Sequence, residues 1–221
     1  MTRASAPPLP WVERAADRSP VVLRSRARQI ENAQAIVDAA RRLIAERGDR
    51  FTTQELVKEA GVALQTFYRL FGGKDQLLLA VFEAMIAEYC AQAEEAARGL
   101  PDPLARLRFY VTSAVESVRA DTDGIGPRFV TAQHWRLHQL FPDEMSRATQ
   151  PFTRLVARQL EAAAAAGLLQ PTDPERDAWF VTKLVMAVFH HYAFVEAEPD
   201  ADAIGASLWS FCCTALGGYT H

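Results

Sequence analysis

The residues best suited to chemistry lie together in the first third of this 221-residue chain. Leu64, Gln65, Thr66, Tyr68 and Arg69 follow Gly61 closely, with Thr53, Gln54 and Lys74 on either side. These are hydrogen-bonding, aromatic and cationic groups, with no nucleophile, base and orienting carboxylate among them, so the set binds rather than transforms. A glutamine amide presents a donor and an acceptor side by side and suits an adenine edge, while Leu64 offers only apolar contact, such as a thymine methyl takes. Hydroxyls, guanidinium and ammonium groups suit phosphate oxygens.

The surrounding pattern builds the frame for them. Thr52-Thr53-Gln54-Glu55 is a capping box, in which the Thr52 hydroxyl accepts from the amide three residues on and Glu55 reaches back. It predicts a short helix to Ala60 with Leu56, Val57 and Ala60 facing inward. Gly61 ends that helix abruptly because it tolerates a left-handed backbone, and a second short helix is expected over Leu64 to Phe71. Two short helices about a tight glycine turn are the skeleton of a helix-turn-helix, whose second helix enters the DNA major groove.

The run from Phe51 to Phe71, with the Ala-Gly-Val turn at 60–62, the Thr66-x-Tyr68 step, Phe71 three residues after that tyrosine and Lys74 opening the next helix, resembles the DNA-binding region of the TetR family. The resemblance covers about fifty residues. It implies DNA contacts from Thr53, Gln54, Leu64, Gln65, Thr66, Tyr68, Arg69 and Lys74, of which Thr66, Tyr68 and Lys74 match backbone-contacting positions. Two departures bear on the base contacts: Ala63 stands where a serine cap is frequent, and Leu70 where an aromatic or histidine is usual.

Helical periodicity runs from about Arg28 onward and no alternating strand pattern competes, so the fold class is all-α, with about nine helices. Ile30, Ala33, Val37, Ala40 and Ile44 mark the first stripe. Later helices are expected at Lys74 to Arg98, Asp102-Pro103 to Arg119, Pro127 to Leu140, Asp143 to Ala166 with a bend or break at Pro151, Glu175 to Val195, and Ala201 to Leu216. Asp102-Pro103 and Asp173-Pro174 are helix-opening pairs, an N-cap followed by a proline whose missing amide proton costs nothing there. The expected organisation is a flexible basic arm over 1–26, a three-helix DNA-binding domain over 27–73, and a larger effector-binding and dimerisation domain over 74–221. Arg14, Arg18, Arg24, Arg26 and Arg28 would give that arm a route into a minor groove, and a merely solvated tail fits as well.

In a TetR-like chain the last two helices pair with those of a second subunit. Trp179, Tyr192, Ile204, Leu208, Phe211 and Cys212 are the candidates for that homodimer face. A ligand cavity is expected among the middle helices, lined from Phe109, Phe129, Trp135, Phe141, Phe152, Met186 and Phe189, with Arg128, His134, His138 and His190 as polar fixtures. The apolar richness favours a hydrophobic, lipid-like, steroid-like or acyl effector.

Charge is split along the chain. Residues 1–75 hold 13 Lys and Arg against 9 Asp and Glu, and residues 76–221 hold 11 against 18, so a net +4 end precedes a net −7 body. A basic end on an acidic body points to a polyanion met by that end. Pro7, Pro8 and Pro10 with no apolar stretch give no secretory signal, and the serines, Thr214 and glycines of Ala203 to His221 make a poor membrane span, so a cytoplasmic protein with no membrane partner is expected. Cys90, Cys212 and Cys213 have neither disulfide nor zinc spacing. His134 and His138 share a helical face without a third ligand, Asp121 to Gly124 starts a calcium loop that Ala132 fails to complete, and Gly124 to Pro127 is no dinucleotide fingerprint, so neither metal nor cofactor is expected. The leading expectation is a repressor released from a palindromic operator by its effector. A co-repressed regulator or an activator on the same fold is the alternative, and a helical enzyme with an accessory helix-turn-helix, the remote one, would need an acid–base set that the sequence lacks.

Overall fold

The computed structural model describes residues 19–120, 125–195 and 201–218, and among these every regular element is helical. The nine helices are α1 (Pro20–Arg47), α2 (Thr53–Ala60), α3 (Leu64–Phe71), α4 (Lys74–Ala97), α5 (Pro103–Ala120), α6 (Ile125–Leu140), α7 (Pro142–Ala165), α8 (Pro174–Tyr192) and α9 (Ala201–Ala215). Their ends follow the local chemistry. The Asp102 and Asp173 carboxylates accept from the amides of Ala105 and Arg176 at 2.7 and 3.2 Å, satisfying otherwise unpartnered donors.

Two apolar cores stack end to end along α4. The first joins Ile36, Leu43, Leu56 and Phe67 of the N-terminal helices to Leu77, Val81 and Phe82 of α4, Phe129 and Leu137 of α6, and Met145 of α7. The second gathers Cys90 and Ala97 of α4 with side chains of α5, α7, α8 and α9, including Leu107, Tyr110, Leu160, Val181 and Trp209. The packing therefore does not divide at residue 73: the three N-terminal helices share one core with α4, α6 and the first turns of α7. All three cysteines are free and buried, and burial pushes the Cys90 and Cys212 thiols up to about 11, so they act as small apolar side chains.

Three expectations need correction. Helix α1 begins at Pro20, the favoured first-turn position for proline, so 20–26 is helix and not flexible arm. Its residues 20–31 are all exposed, Ile30 at 62 %, because burial starts only near Ile36, roughly 24 Å along the axis at 1.5 Å per residue. Arg24, Arg26 and Arg28 thus ride on a projecting helix, whereas Arg14 and Arg18 lie outside the described residues, as does Asp121 to Gly124. Helix α7 runs unbroken through Pro151.

Candidate DNA-binding surface and ligand cavity

The turn between α2 and α3 is built as the sequence requires. The Thr52 hydroxyl accepts from the Glu55 amide at 3.2 Å, and the Thr52 amide donates to the Glu55 carboxylate at 2.7 Å. That bond holds the Glu55 carboxyl below its usual range. At the other end Gly61 adopts φ 66°, and the amides of Gly61 and Val62 donate to the carbonyls of Lys58 and Val57 at 3.3 and 3.0 Å. This paired closure, with Val57 and Val62 packed against the core, fixes the angle at which α3 leaves α2.

Helix α3 turns one face inward and the other out. Phe67 is fully buried, while Leu64 and Tyr68 are 40 % and 51 % exposed and Gln65 and Arg69 are exposed beside them. An exposed leucine and tyrosine flanking an exposed glutamine are not core, and the face they share is available to a partner. Gln54 on α2 is exposed, and Thr53 and Thr66 are half-buried. Ala63 caps α3 without a side-chain bond.

Lys74 is engaged within the protein. Its ammonium donates to the carbonyls of Asp49 and Phe51 at 2.5 and 2.9 Å and lies 4.4 Å from the centre of the Phe51 ring. It ties the start of α4 to the loop between α1 and α2. Helix α6 makes a second tie to the same region, since the Gln133 amide donates to the Asp49 carboxylate at 2.9 Å and Arg136 pairs with Asp75.

A cavity of about 230 Å³ lies where α4 to α8 meet. Its walls are Met85, Ile86 and Tyr89 of α4, Ala114 and Ser117 of α5, Gly126, Pro127 and Val130 of α6, Thr149 and Phe152 of α7, and Thr182, Val185, Met186 and Phe189 of α8. The Tyr89 hydroxyl shares a hydrogen bond with Ser113 at 3.1 Å, and burial pushes its phenol up to about 12, so it stays protonated.

Of the residues expected here, Phe152, Met186 and Phe189 line the cavity and the others do not. Helix α6 buries Pro127, Val130, His134 and Leu137, which leaves Trp135, 63 % exposed, and His138 on its outer face. Phe129 is taken up by the first core and Phe141 packs against it, while Phe109 packs on the second. The Arg128 guanidinium donates to the Ala193 carbonyl at 3.3 Å, linking α6 to the end of α8. His134 and His190 face each other with ring centres 4.7 Å apart, next to Phe189 but behind the wall. Burial drives the His134 imidazole down to about 4 and lowers His190 as well. Among the described residues no group of three or more His, Cys, Asp or Glu is placed to hold a metal ion. The lining that sequence reading missed carries one visible signal: Ser117, Thr149 and Thr182 are hydroxyls on otherwise apolar stripes.

On the last two helices Trp179, Phe180 and Phe211 are 49 %, 57 % and 65 % exposed. Leu208 and Cys212 are instead buried in the protomer's own core, with Ile204 packed at its edge, so neither belongs to an outward face. The buried stripe of α9 is Leu208, Trp209, Cys212 and Cys213, facing α5, with Leu216 buried just beyond the helix, and this phase turns Phe211 away from it. Tyr192 at the end of α8 is half-buried.

An exposed, chemically mixed second helix of a helix-turn-helix, mounted on a larger helical body, is the architecture of a helix-turn-helix DNA-binding regulator. Residues 36–81 match the family described as bacterial regulatory proteins, tetR family. The HTH-type transcriptional regulator BetI of Rhizobium meliloti (strain 1021) is 31 % identical over 145 residues, which are 63 % of this chain and 66 % of that protein. The chain thus spans about two thirds of the length of that relative. Two solved structures share the fold: the regulator FadR from Bacillus subtilis in complex with stearoyl-CoA (TM-score 0.65, 16 % identity, 85 % of this chain and 99 % of that one), and AibR in complex with isovaleryl coenzyme A and operator DNA (TM-score 0.52, 17 % identity, 81 % and 97 %). This chain belongs to the TetR family of DNA-binding transcriptional regulators. Among its described residues no helix is long and apolar enough to cross a membrane.

Proposed function

We propose that this chain is a homodimeric repressor that reads a palindromic operator through α3 and releases it when a small apolar molecule enters the cavity. The observation that carries this reading is the course of α4. Its first residue, Lys74, braces the helix-turn-helix, and Met85, Ile86 and Tyr89 on the same helix form one wall of the cavity. Met85 stands about 16 Å from Lys74 along a continuous helix at 1.5 Å per residue, so displacement at the wall is delivered to the frame of α3 without an intervening loop. FadR and AibR, whose structures hold acyl-CoA ligands, are precedents for a ligand in this fold.

In this reading Gln65 and Leu64 meet base edges, and Tyr68, Arg69, Thr66, Thr53 and Gln54 hold the phosphates. Lys74 acts first as the brace, with one ammonium proton left for a phosphate. Two copies meet through the exposed Trp179, Phe180 and Phe211, which gives the protein the two-fold symmetry that reads a palindrome. Release requires the ligand to prefer the conformer that binds DNA poorly, since a ligand indifferent to the two moves no population.

A direct test is fluorescence anisotropy on a pool of mixed duplexes over a salt series, comparing wild type with Arg69→Ala. Binding is expected to weaken with salt, and the variant to lower the log–log salt slope by about 2, for one lost phosphate contact in each protomer of the dimer. Identical affinity and slope would remove Arg69 from the phosphate contacts, and salt-independent binding would contradict the reading as a whole.

A further inference from the structure

We propose that the cavity takes a small, uncharged, ring-bearing molecule that donates a hydrogen bond, for which an alkyl phenol is the simplest chemical class. This deepens the effector reading above and rests on it for its biological meaning, while the binding itself follows from the walls.

Size is the first constraint. An apolar cavity of about 150 Å³ already accommodates benzene, and drug-sized ligands occupy about 300 Å³ or more. At about 230 Å³ the space fits one substituted ring, and a steroid nucleus or a long acyl chain exceeds it. Charge is the second constraint. Among the described residues no Asp, Glu, Lys, Arg or His lies in the lining, so a carboxylate or ammonium would lose its hydration here and meet no opposite charge from them.

Hydrogen-bond polarity is the third. Ser117 donates to the Ala114 carbonyl at 2.8 Å, Thr182 to the Ala178 carbonyl at 2.8 Å, and Thr149 to the carbonyls of Ser146 and Met145 at 3.2 and 3.3 Å. A hydroxyl has one proton, and in these three it is spent on the parent helix, so they offer acceptor lone pairs, while the fourth hydroxyl of the wall, Tyr89, is engaged with Ser113. A ligand that only accepts would leave them unmatched, whereas an O–H donor satisfies them. The thioethers of Met85 and Met186, both in the lining, favour contact with an aromatic ring.

The test is calorimetric titration of the full-length protein with 4-propylphenol, 4-propylanisole, 4-propylbenzoate and dodecanol, with the affinity for its selected duplex followed in parallel. The phenol is expected to bind about tenfold or more tighter than the anisole, whose donor is blocked, which corresponds to one hydrogen bond of about 1.4 kcal/mol. The benzoate and dodecanol are expected to bind more weakly still. Thr182→Val, nearly the same shape without the acceptor, is expected to weaken the phenol and leave the anisole unchanged, and a melting curve run beside it excludes misfolding as the cause. Equal binding of phenol and anisole, tighter binding of benzoate or dodecanol, or no binding of the phenol would overturn the proposal. The two readings fail separately: phenol binding with no change in DNA affinity contradicts the effector reading and leaves the ligand class standing, and benzoate that binds tightly and releases DNA does the reverse.

Discussion

Lys74 shows how a side chain can match a motif and serve a different first purpose. Its position resembles a phosphate-contacting lysine, yet two of its three protons go to the carbonyls of Asp49 and Phe51. Lys74→Met should therefore lower the melting temperature, by the loss of hydrogen bonds worth about 2 kcal/mol to a charged donor, in the absence of any DNA. A variant that melts like wild type and only binds DNA less well would make the lysine a phosphate contact alone. The exposed set on α3 was legible from residue types, since glutamine, tyrosine and arginine after a glycine turn have little else to do. The cavity lining was less so, because an aromatic on a helix is as well suited to core as to ligand, and only packing decides. His134 is an example: a candidate polar fixture by sequence, it lies buried facing His190, and burial, then the neighbouring His190, Lys183 and His138, disfavour its charged form. Its folded imidazole titrates near 4 and an unfolded one near 6.5, so below pH 6.5 the unfolded state takes up the proton first and stability falls until about pH 4. Denaturation across pH 7 to 4 should show a loss on the order of 3 kcal/mol from this group, reduced in His134→Phe. An equal slope in the variant would place the sensitivity elsewhere.

At the scale of elements, α6 joins the two functions. Its first half supplies Gly126, Pro127 and Val130 to the cavity, and its second half holds Asp49 through Gln133 and Asp75 through Arg136. Asp75 lies one residue from Lys74, so α4 and α6 grip the frame of α3 from two sides. Arg136→Ala should leave both DNA and ligand affinity near wild type while shrinking the coupling between them, which in such proteins is typically about 1 to 3 kcal/mol. DNA affinity measured with and without saturating ligand gives that coupling directly, and an unchanged ratio would assign transmission to α4 alone. The helices were legible from their caps and periodicity: the capping box at Thr52, the Asp-Pro pairs and the Gly61 turn all appear where the residues put them. What periodicity lacks is phase relative to neighbours. Ile30 sits on an apolar repeat but projects beyond the body, and Leu208 and Phe211 are both candidates for the homodimer face although α5 claims the former.

For the whole molecule, the first of the two stacked cores carries the helix-turn-helix, the cavity lies between the two with walls from both, and α4 threads them. Among the aromatic side chains that neither core covers, Trp179 and Phe180 on α8 and Phe211 on α9 are the expected dimer face, since large exposed apolar groups mark contact sites. The double variant Trp179→Glu, Phe211→Glu should sediment as a monomer and lose operator affinity while keeping its helical circular dichroism. A variant that stays dimeric would move the interface to another surface. The central claim, that a two-fold protein reads DNA with α3, is tested most directly by selection from random duplexes with wild type and Gln65→Ala in parallel. The account predicts that wild type enriches a palindrome and that Gln65→Ala enriches the same site with one symmetric pair of positions relaxed, at a cost of about 1 to 3 kcal/mol per base contact. An enriched site without symmetry, or a Gln65→Ala selection indistinguishable from wild type, would contradict it.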